Sequence, residues 1–126
     1  MRVRIQMPTV LVVEDEVNIR RFVAANLKAR GYAVLQAASA EEGLQQLSIH
    51  GVETLILDIR LPGLSGWDMI KQIAAEPNLP NIPVIILTAS SLTTQPSEPV
   101  YPNIAASLIK PIAVTELLLA VKTIFG

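Results

Sequence analysis

Thr54-Leu55-Ile56-Leu57-Asp58-Ile59-Arg60-Leu61-Pro62-Gly63-Leu64-Ser65-Gly66 decides how the rest of the chain is read. A β-branched threonine and three aliphatic residues run straight into a carboxylate, and a Leu-Pro-Gly turn follows. The run does not alternate between apolar and polar, so it describes a strand buried on both faces. Such strands belong to parallel sheets covered by helices. Ligands of these sheets gather outside the carboxyl ends of the strands, and Asp58 stands at one.

The same kind of stretch recurs on either side. Val10-Leu11-Val12-Val13 ends on Glu14 and Asp15, so a first strand is predicted over 9–14. Others are predicted over 33–37, 53–58, 83–88 and 105–109, the last ending on Lys110. Helical spacing fills the gaps. Ile19, Phe22, Val23 and Leu27 predict a helix over 17–30, with Gly31 as its stop. Ser39 and Glu42 have capping-box spacing before a helix carrying Ala40, Leu44 and Leu47, and Ser65 and Asp68 repeat it before Ile70, Ile73 and Ala74. Val114, Leu117, Leu118, Val121 and Ile124 predict a last helix over 113–124. Strands and helices in alternation, joined by right-handed crossovers, give an α/β fold with a doubly wound five-stranded parallel sheet. No internal repeat is visible. Residues 8–126 read as one domain behind an N-terminal extension, 1–7.

One segment breaks the alternation. Between the fourth and fifth strands a helix is expected, yet Pro96, Pro99 and Pro102 fall within seven residues. Each proline inside a helix costs about 3 kcal/mol. The fourth helix is therefore expected to be short or missing, with most of 90–103 as an extended surface loop.

Composition narrows the function. Of the 126 residues 51% are apolar but only 4% aromatic, so the core is aliphatic. A net charge of -1 argues against nucleic-acid binding, which needs a basic face. The absence of cysteine excludes disulfides and thiolate metal sites. Mean hydropathy is high at +0.45, but no apolar run approaches the ~18 residues of a membrane span. The expected location is cytoplasmic.

Neighbouring parallel strands lie about 4.8 Å apart, so adjacent first and third strands would bring Glu14, Asp15 and Asp58 together. Clustered carboxylates require a cation, and hard oxygen donors suit Mg²⁺ or Mn²⁺. Asp58 is then the candidate nucleophile for a phosphoryl group. Lys110 would hold a phosphoryl oxygen as a point charge. Thr88 could offer its hydroxyl to another oxygen, and Ala89 its backbone N–H. Singly, each residue has an ordinary explanation: a solvated turn for Glu14, Asp15 or Thr88, a solvated charge for Lys110. Together they occupy the same ends of successive strands. His50, the sole histidine, sits in a loop and carries no role; Trp67 is expected to pack beside the third helix.

This ordered set resembles the receiver domain of two-component response regulators. The matching residues are Val12-Val13-Glu14-Asp15-Glu16, then Asp58 with Leu61-Pro62-Gly63 and Gly66, then Leu87-Thr88-Ala89, then Lys110-Pro111, over about residues 8–124. The resemblance implies a flavodoxin-like sheet of order 2-1-3-4-5. It implies that Asp58 takes a phosphoryl group from a histidine kinase or phosphotransfer protein. Glu14, Asp15, Asp58 and the backbone carbonyl of Arg60 would bind Mg²⁺, with Mn²⁺ as a substitute. Thr88, Ala89 and Lys110 would contact the phosphoryl group, and Lys110-Pro111 would be cis. Such a domain is a switch, not a turnover enzyme, beyond self-phosphorylation and slow autodephosphorylation. Its output partner is not implied, nor is contact with nucleic acid or membrane.

Two departures stand out. The family's usual aromatic three residues before the lysine is Ser107 here, and the 90–103 segment replaces the fourth helix. A degenerate receiver acting as a constitutive protein-interaction module with an altered output face is therefore the alternative. An aspartate-nucleophile phosphatase would need an Asp-x-Asp pattern after the first strand, where Glu14-Asp15-Glu16 stands.

Overall fold

The computed structural model describes residues 7–89 and 103–126. Five strands, β1 (Thr9–Val13), β2 (Ala33–Ala37), β3 (Thr54–Asp58), β4 (Val84–Thr88) and β5 (Ile104–Ile109), form one sheet of order β2-β1-β3-β4-β5. All neighbours are parallel. The helices are α1 (Val17–Lys28), α2 (Ala40–Ile49), α3 (Gly66–Ala75) and α4 (Val114–Phe125). The predicted sheet and its order are both found, with boundaries off by a residue or two. The expectation that the fourth helix of the family is short or missing falls on residues 90–102, which lie outside the described residues. Among the described residues no helix is long and apolar enough to cross a membrane.

The strand period of two divides the core. Leu11, Val13, Leu55, Leu57, Val84 and Ile86 pack on one side of the sheet with Ala40 and Leu47 of α2 and Met69, Ile70 and Ile73 of α3. Val10, Val12, Ile56, Ile85, Leu87 and Leu108 pack on the other with Val23 and Leu27 of α1 and Leu117 and Val121 of α4. Burial on both faces of β1, β3 and β4 explains why their sequences do not alternate. Trp67 lies within α3 itself, partly buried against the first cluster.

The alternation also aims the polar residues. Glu14 follows Val10 and Val12, Asp58 follows Ile56, and Lys110 follows Leu108, so all three continue the α1/α4 face. For β5 this depends on an irregularity. Val84 pairs with Ile104 but Ile85 pairs with Ala106, which leaves Ala105 as an extra residue. The shift sets Leu108 opposite Leu87, and Lys110 rather than Ile109 then turns to the acids.

Local chemistry fixes the helix starts unequally. Ser65 and Asp68 form a complete capping box at α3, with Ser65 Oγ accepting from the Asp68 N–H at 3.1 Å and Asp68 Oδ2 accepting from the Ser65 N–H at 3.2 Å. Only half of the box expected at α2 forms: Ser39 Oγ accepts from the Glu42 N–H. At α1 no side chain of the N-cap residue, Glu16, makes a capping bond. Ser65→Ala should cost about 1 kcal/mol, measured as a lower urea midpoint at unchanged slope.

Candidate functional site

The site lies at the carboxyl ends of β1, β3, β4 and β5. Val13 pairs with Leu57, so the residues that follow, Glu14 and Asp58, come side by side. One oxygen from each of Glu14, Asp15 and Asp58 falls within 4.8 Å of the others. Glu14 and Asp58 are buried, whereas Asp15 is exposed. The predicted convergence of the three acids is therefore present in the geometry.

The fourth predicted member, Lys110, reaches the same point from β5. Its Nζ donates to Asp58 Oδ2 at 3.0 Å and stands 2.7 Å from Glu14 Oε1. The backbone holds it there: the Lys110 N–H donates to the Thr88 carbonyl at 2.8 Å. The Lys110-Pro111 bond is cis, as the resemblance implied. Thr88 is buried at the end of β4, and Ala89 beyond it is exposed. Arg60 is exposed, and its N–H donates to Asp58 Oδ1 at 2.9 Å, which steadies the carboxylate from the turn side.

Electrostatics mark Glu14 as the stressed group. Burial pushes its pKa up to about 7. The neighbouring Lys110 opposes that rise and Asp58 adds to it. For Lys110, burial disfavours the ammonium, but the contacts with Glu14 and Asp58 prevail and hold its pKa above the usual lysine value. Glu14 Oε1 meets Lys110 Nζ as an ion pair at 2.7 Å and not as a well-formed hydrogen bond. Oε1 is the one buried side-chain polar atom left without such a bond among the described residues. A buried carboxylate whose oxygen is held by charge alone, beside two more carboxylates, is a donor set that fits a small hard cation.

A pH dependence follows with a definite sign. Glu14 has a higher pKa folded (about 7) than in its reference state (4.5). The native state therefore binds the extra proton, and stability falls as pH rises between those values. Glu14→Gln should raise the stability of the metal-free protein at pH 8 by on the order of 2 kcal/mol and change little below pH 4.5. Adding Mg²⁺ should reverse the ranking at pH 8. Thermal melts at both pH values, with and without Mg²⁺, check it.

Two features of the site had no sequence signal. Arg20 Nη1 donates to the Glu14 carbonyl at 2.8 Å, and nothing in the spacing announces a guanidinium reaching back six residues. Gly66 presses against the Asp58 backbone, so that a Cβ there would lie 2.5 Å from the Asp58 carbonyl oxygen. The sequence showed this glycine as part of a motif but not why it must be glycine.

Comparison with known proteins agrees with this geometry. The family model "Response regulator receiver domain" matches residues 10–122. The chain is 30% identical over 118 residues to the response regulator ArlR of Staphylococcus aureus, covering 94% of this chain and 52% of that protein. It is 36% identical over 83 residues to the transcriptional regulatory protein AfsQ1 of Streptomyces coelicolor, covering 66% and 36%. The chain thus spans about half or less of these curated relatives. Among solved structures, a response regulator receiver protein from Pseudomonas putida superposes with a TM-score of 0.82 at 28% identity, covering 95% of this chain and 99% of that one. The receiver domain of the Francisella response regulator 1452 gives 0.82 at 26%, covering 94% and 96%.

Proposed function

The chain belongs to the response regulator receiver family, and from that premise we propose that Asp58 is its phosphoacceptor, loaded from a sensor histidine kinase or a histidine phosphotransfer protein. The observation that carries the reading is the acid triad within 4.8 Å, with the Lys110 amine on Asp58 at 3.0 Å. An Asp58 oxygen attacks the donor phosphorus, the bond from phosphorus to the donor's imidazole nitrogen breaks, and its electron pair leaves with the imidazole. Glu14, Asp15, Asp58 and the Arg60 carbonyl would hold Mg²⁺, or Mn²⁺ in its place. Such an ion supplies charge neutralisation for the incoming phosphoryl group.

The chain's own residues supply the rest. The Arg60 N–H keeps Asp58 Oδ1 fixed. Lys110 follows the negative charge from the carboxylates to a phosphoryl oxygen, and the Thr88 hydroxyl and Ala89 N–H serve others. An apolar cleft of about 310 Å³, lined by Asn18, Ile19, Phe22, Lys110, Pro111 and Ile112, opens beside the ammonium and suits the apolar face of the donor protein. Beyond self-phosphorylation from a donor and slow loss of the phosphoryl group, the domain turns nothing over. We place it in the cytoplasm, where such donors work.

Exposed Ser107 on β5 favours the second reading, a constitutive interaction module, because it offers no ring to move between two positions. Incubation with acetyl phosphate and Mg²⁺, followed by intact mass spectrometry, separates the two. The expected result is one phosphoryl adduct that hydroxylamine removes and that does not form in EDTA. An unmodified chain under the same conditions leaves the interaction module standing.

A further inference from the structure

The loop that carries Glu14 and Asp15 supplies two of the three clustered acids. It leads into α1, which, like α4, begins without a side-chain cap from its N-cap residue. By contrast, α2 and α3 begin on serine caps. Glu14 fills part of the gap itself, since its Oε2 accepts from the Glu16 N–H at 3.2 Å. A carboxylate needed for a cation is thereby also tied to a backbone amide. Its main chain is held at both ends, by the Glu14 N–H on the Ala37 carbonyl at 3.0 Å and by Arg20 on its own carbonyl at 2.8 Å.

The Arg20 contact is unexpected on electrostatic grounds. Side chains on a helix lean toward its N-terminus, so Arg20, one turn into α1, lies over the acidic loop. A cation there opposes the helix dipole. Three carboxylates are close by, yet among the described residues only Lys110 forms an ion pair with any of them. The half-buried guanidinium instead spends a charged N–H on a neutral carbonyl. That contact keeps the charge near the triad without neutralising a ligand oxygen, and it fixes the peptide from which both Glu14 and Asp15 project.

We propose that Arg20 is a positioning residue for the divalent cation, holding the peptide between Glu14 and Asp15 so that both carboxylates meet Asp58. The proposal rests on the phosphoacceptor reading above. It assigns Arg20 a share of cation affinity and none of phosphoryl transfer itself. Partners that orient metal ligands are worth roughly 10- to 100-fold in affinity, and a single part-buried hydrogen bond to a backbone carbonyl belongs at the low end.

The test compares the whole protein with Arg20→Met and Arg20→Lys. Mg²⁺ binding is measured by calorimetry, and phosphorylation by acetyl phosphate is measured across a Mg²⁺ titration. Arg20→Met should weaken Mg²⁺ about tenfold and shift the Mg²⁺ requirement of phosphorylation by the same factor. Its rate at saturating Mg²⁺ should equal that of the parent. Arg20→Lys, which keeps a charged donor, should recover most of the affinity. A lower melting temperature with unchanged Mg²⁺ affinity makes Arg20 merely structural and overturns the proposal. Tighter Mg²⁺ binding by Arg20→Met also overturns it, because charge repulsion would then outweigh positioning. A parent protein that binds no Mg²⁺ fails the phosphoacceptor reading instead, so the two failures are distinct.

Discussion

Gly66→Ala should be the most destabilising single methyl that the described part of the chain can receive. The added Cβ would sit 2.5 Å from the Asp58 carbonyl oxygen, 2.7 Å from the Ile59 Cα and 3.2 Å from the Asp58 carbonyl carbon. All three are main-chain atoms, so no rotamer change relieves the overlap. The Gly66 N–H also donates to the Ile59 carbonyl at 3.0 Å, which locks the start of α3 against the end of β3. Relief therefore requires α3 to back away or the Asp58-Ile59 peptide to move. Overpacking a well-filled site typically costs about 1–3 kcal/mol, and this position belongs at or above the top of that range. Urea unfolding should show it, and the fraction that stays folded should accept phosphate poorly because Asp58 is displaced. Gly43→Ala is the control. Its Cβ would meet Met69 Cε and Val13 Cγ2, each at 2.9 Å. Those are side-chain ends, and a flexible methionine can give way, so the loss should stay near 1 kcal/mol. Equal losses at the two glycines would contradict the backbone argument.

The two glycines also show where sequence and structure part company. Strand existence was legible because burial on both faces leaves an unbroken aliphatic run, as in 84–87 and 10–13. The convergence of Glu14, Asp58 and Lys110 was legible in outline because strand ends coincide in a parallel sheet. What makes it work at side-chain level was not. The extra residue at Ala105 sets the phase of Lys110, and no local composition marks it. The Lys110 amine was expected to hold a phosphoryl oxygen, and in the structure it lies between Glu14 and Asp58. That pairing depends on two strands separated by β3 and β4 in the sheet, a distance invisible to spacing. Close approaches such as Gly66 to Asp58 are tertiary as well. The second half of the Ser39 capping box does not form, and spacing alone does not carry that outcome.

The Ser107 departure bears on output, not on chemistry. Ser107 pairs with Ile86 in the sheet and is exposed, while Lys110 three residues on is half-buried among the acids. The two therefore belong to opposite surfaces of the edge strand. Loss of an aromatic at 107 leaves the contacts of Lys110 as they are, so the chemistry of the triad and the means of reading it can vary independently.

Asp58→Asn should abolish the adduct while leaving the fold intact, and it should do more than delete a nucleophile. Asparagine keeps the shape of the side chain and can still accept from the Arg60 N–H through Oδ1, the bond now 2.9 Å long. At the other oxygen an amide would face the Lys110 ammonium, donor against donor, and the lysine should turn wholly to Glu14. Asp58 is among the groups that raise the Glu14 pKa, so removing its charge should move that titration down from about 7. The pH span over which the metal-free protein loses stability should narrow accordingly. Affinity for Mg²⁺ should fall, since one of three anionic donors is gone. Intact mass after acetyl phosphate treatment, Mg²⁺ calorimetry and melts between pH 4 and 8 read the three effects separately. A full-strength adduct in the variant would place the phosphoryl group on another residue. An unchanged Glu14 titration would mean that the two carboxylates do not share a field, which the 4.8 Å cluster requires.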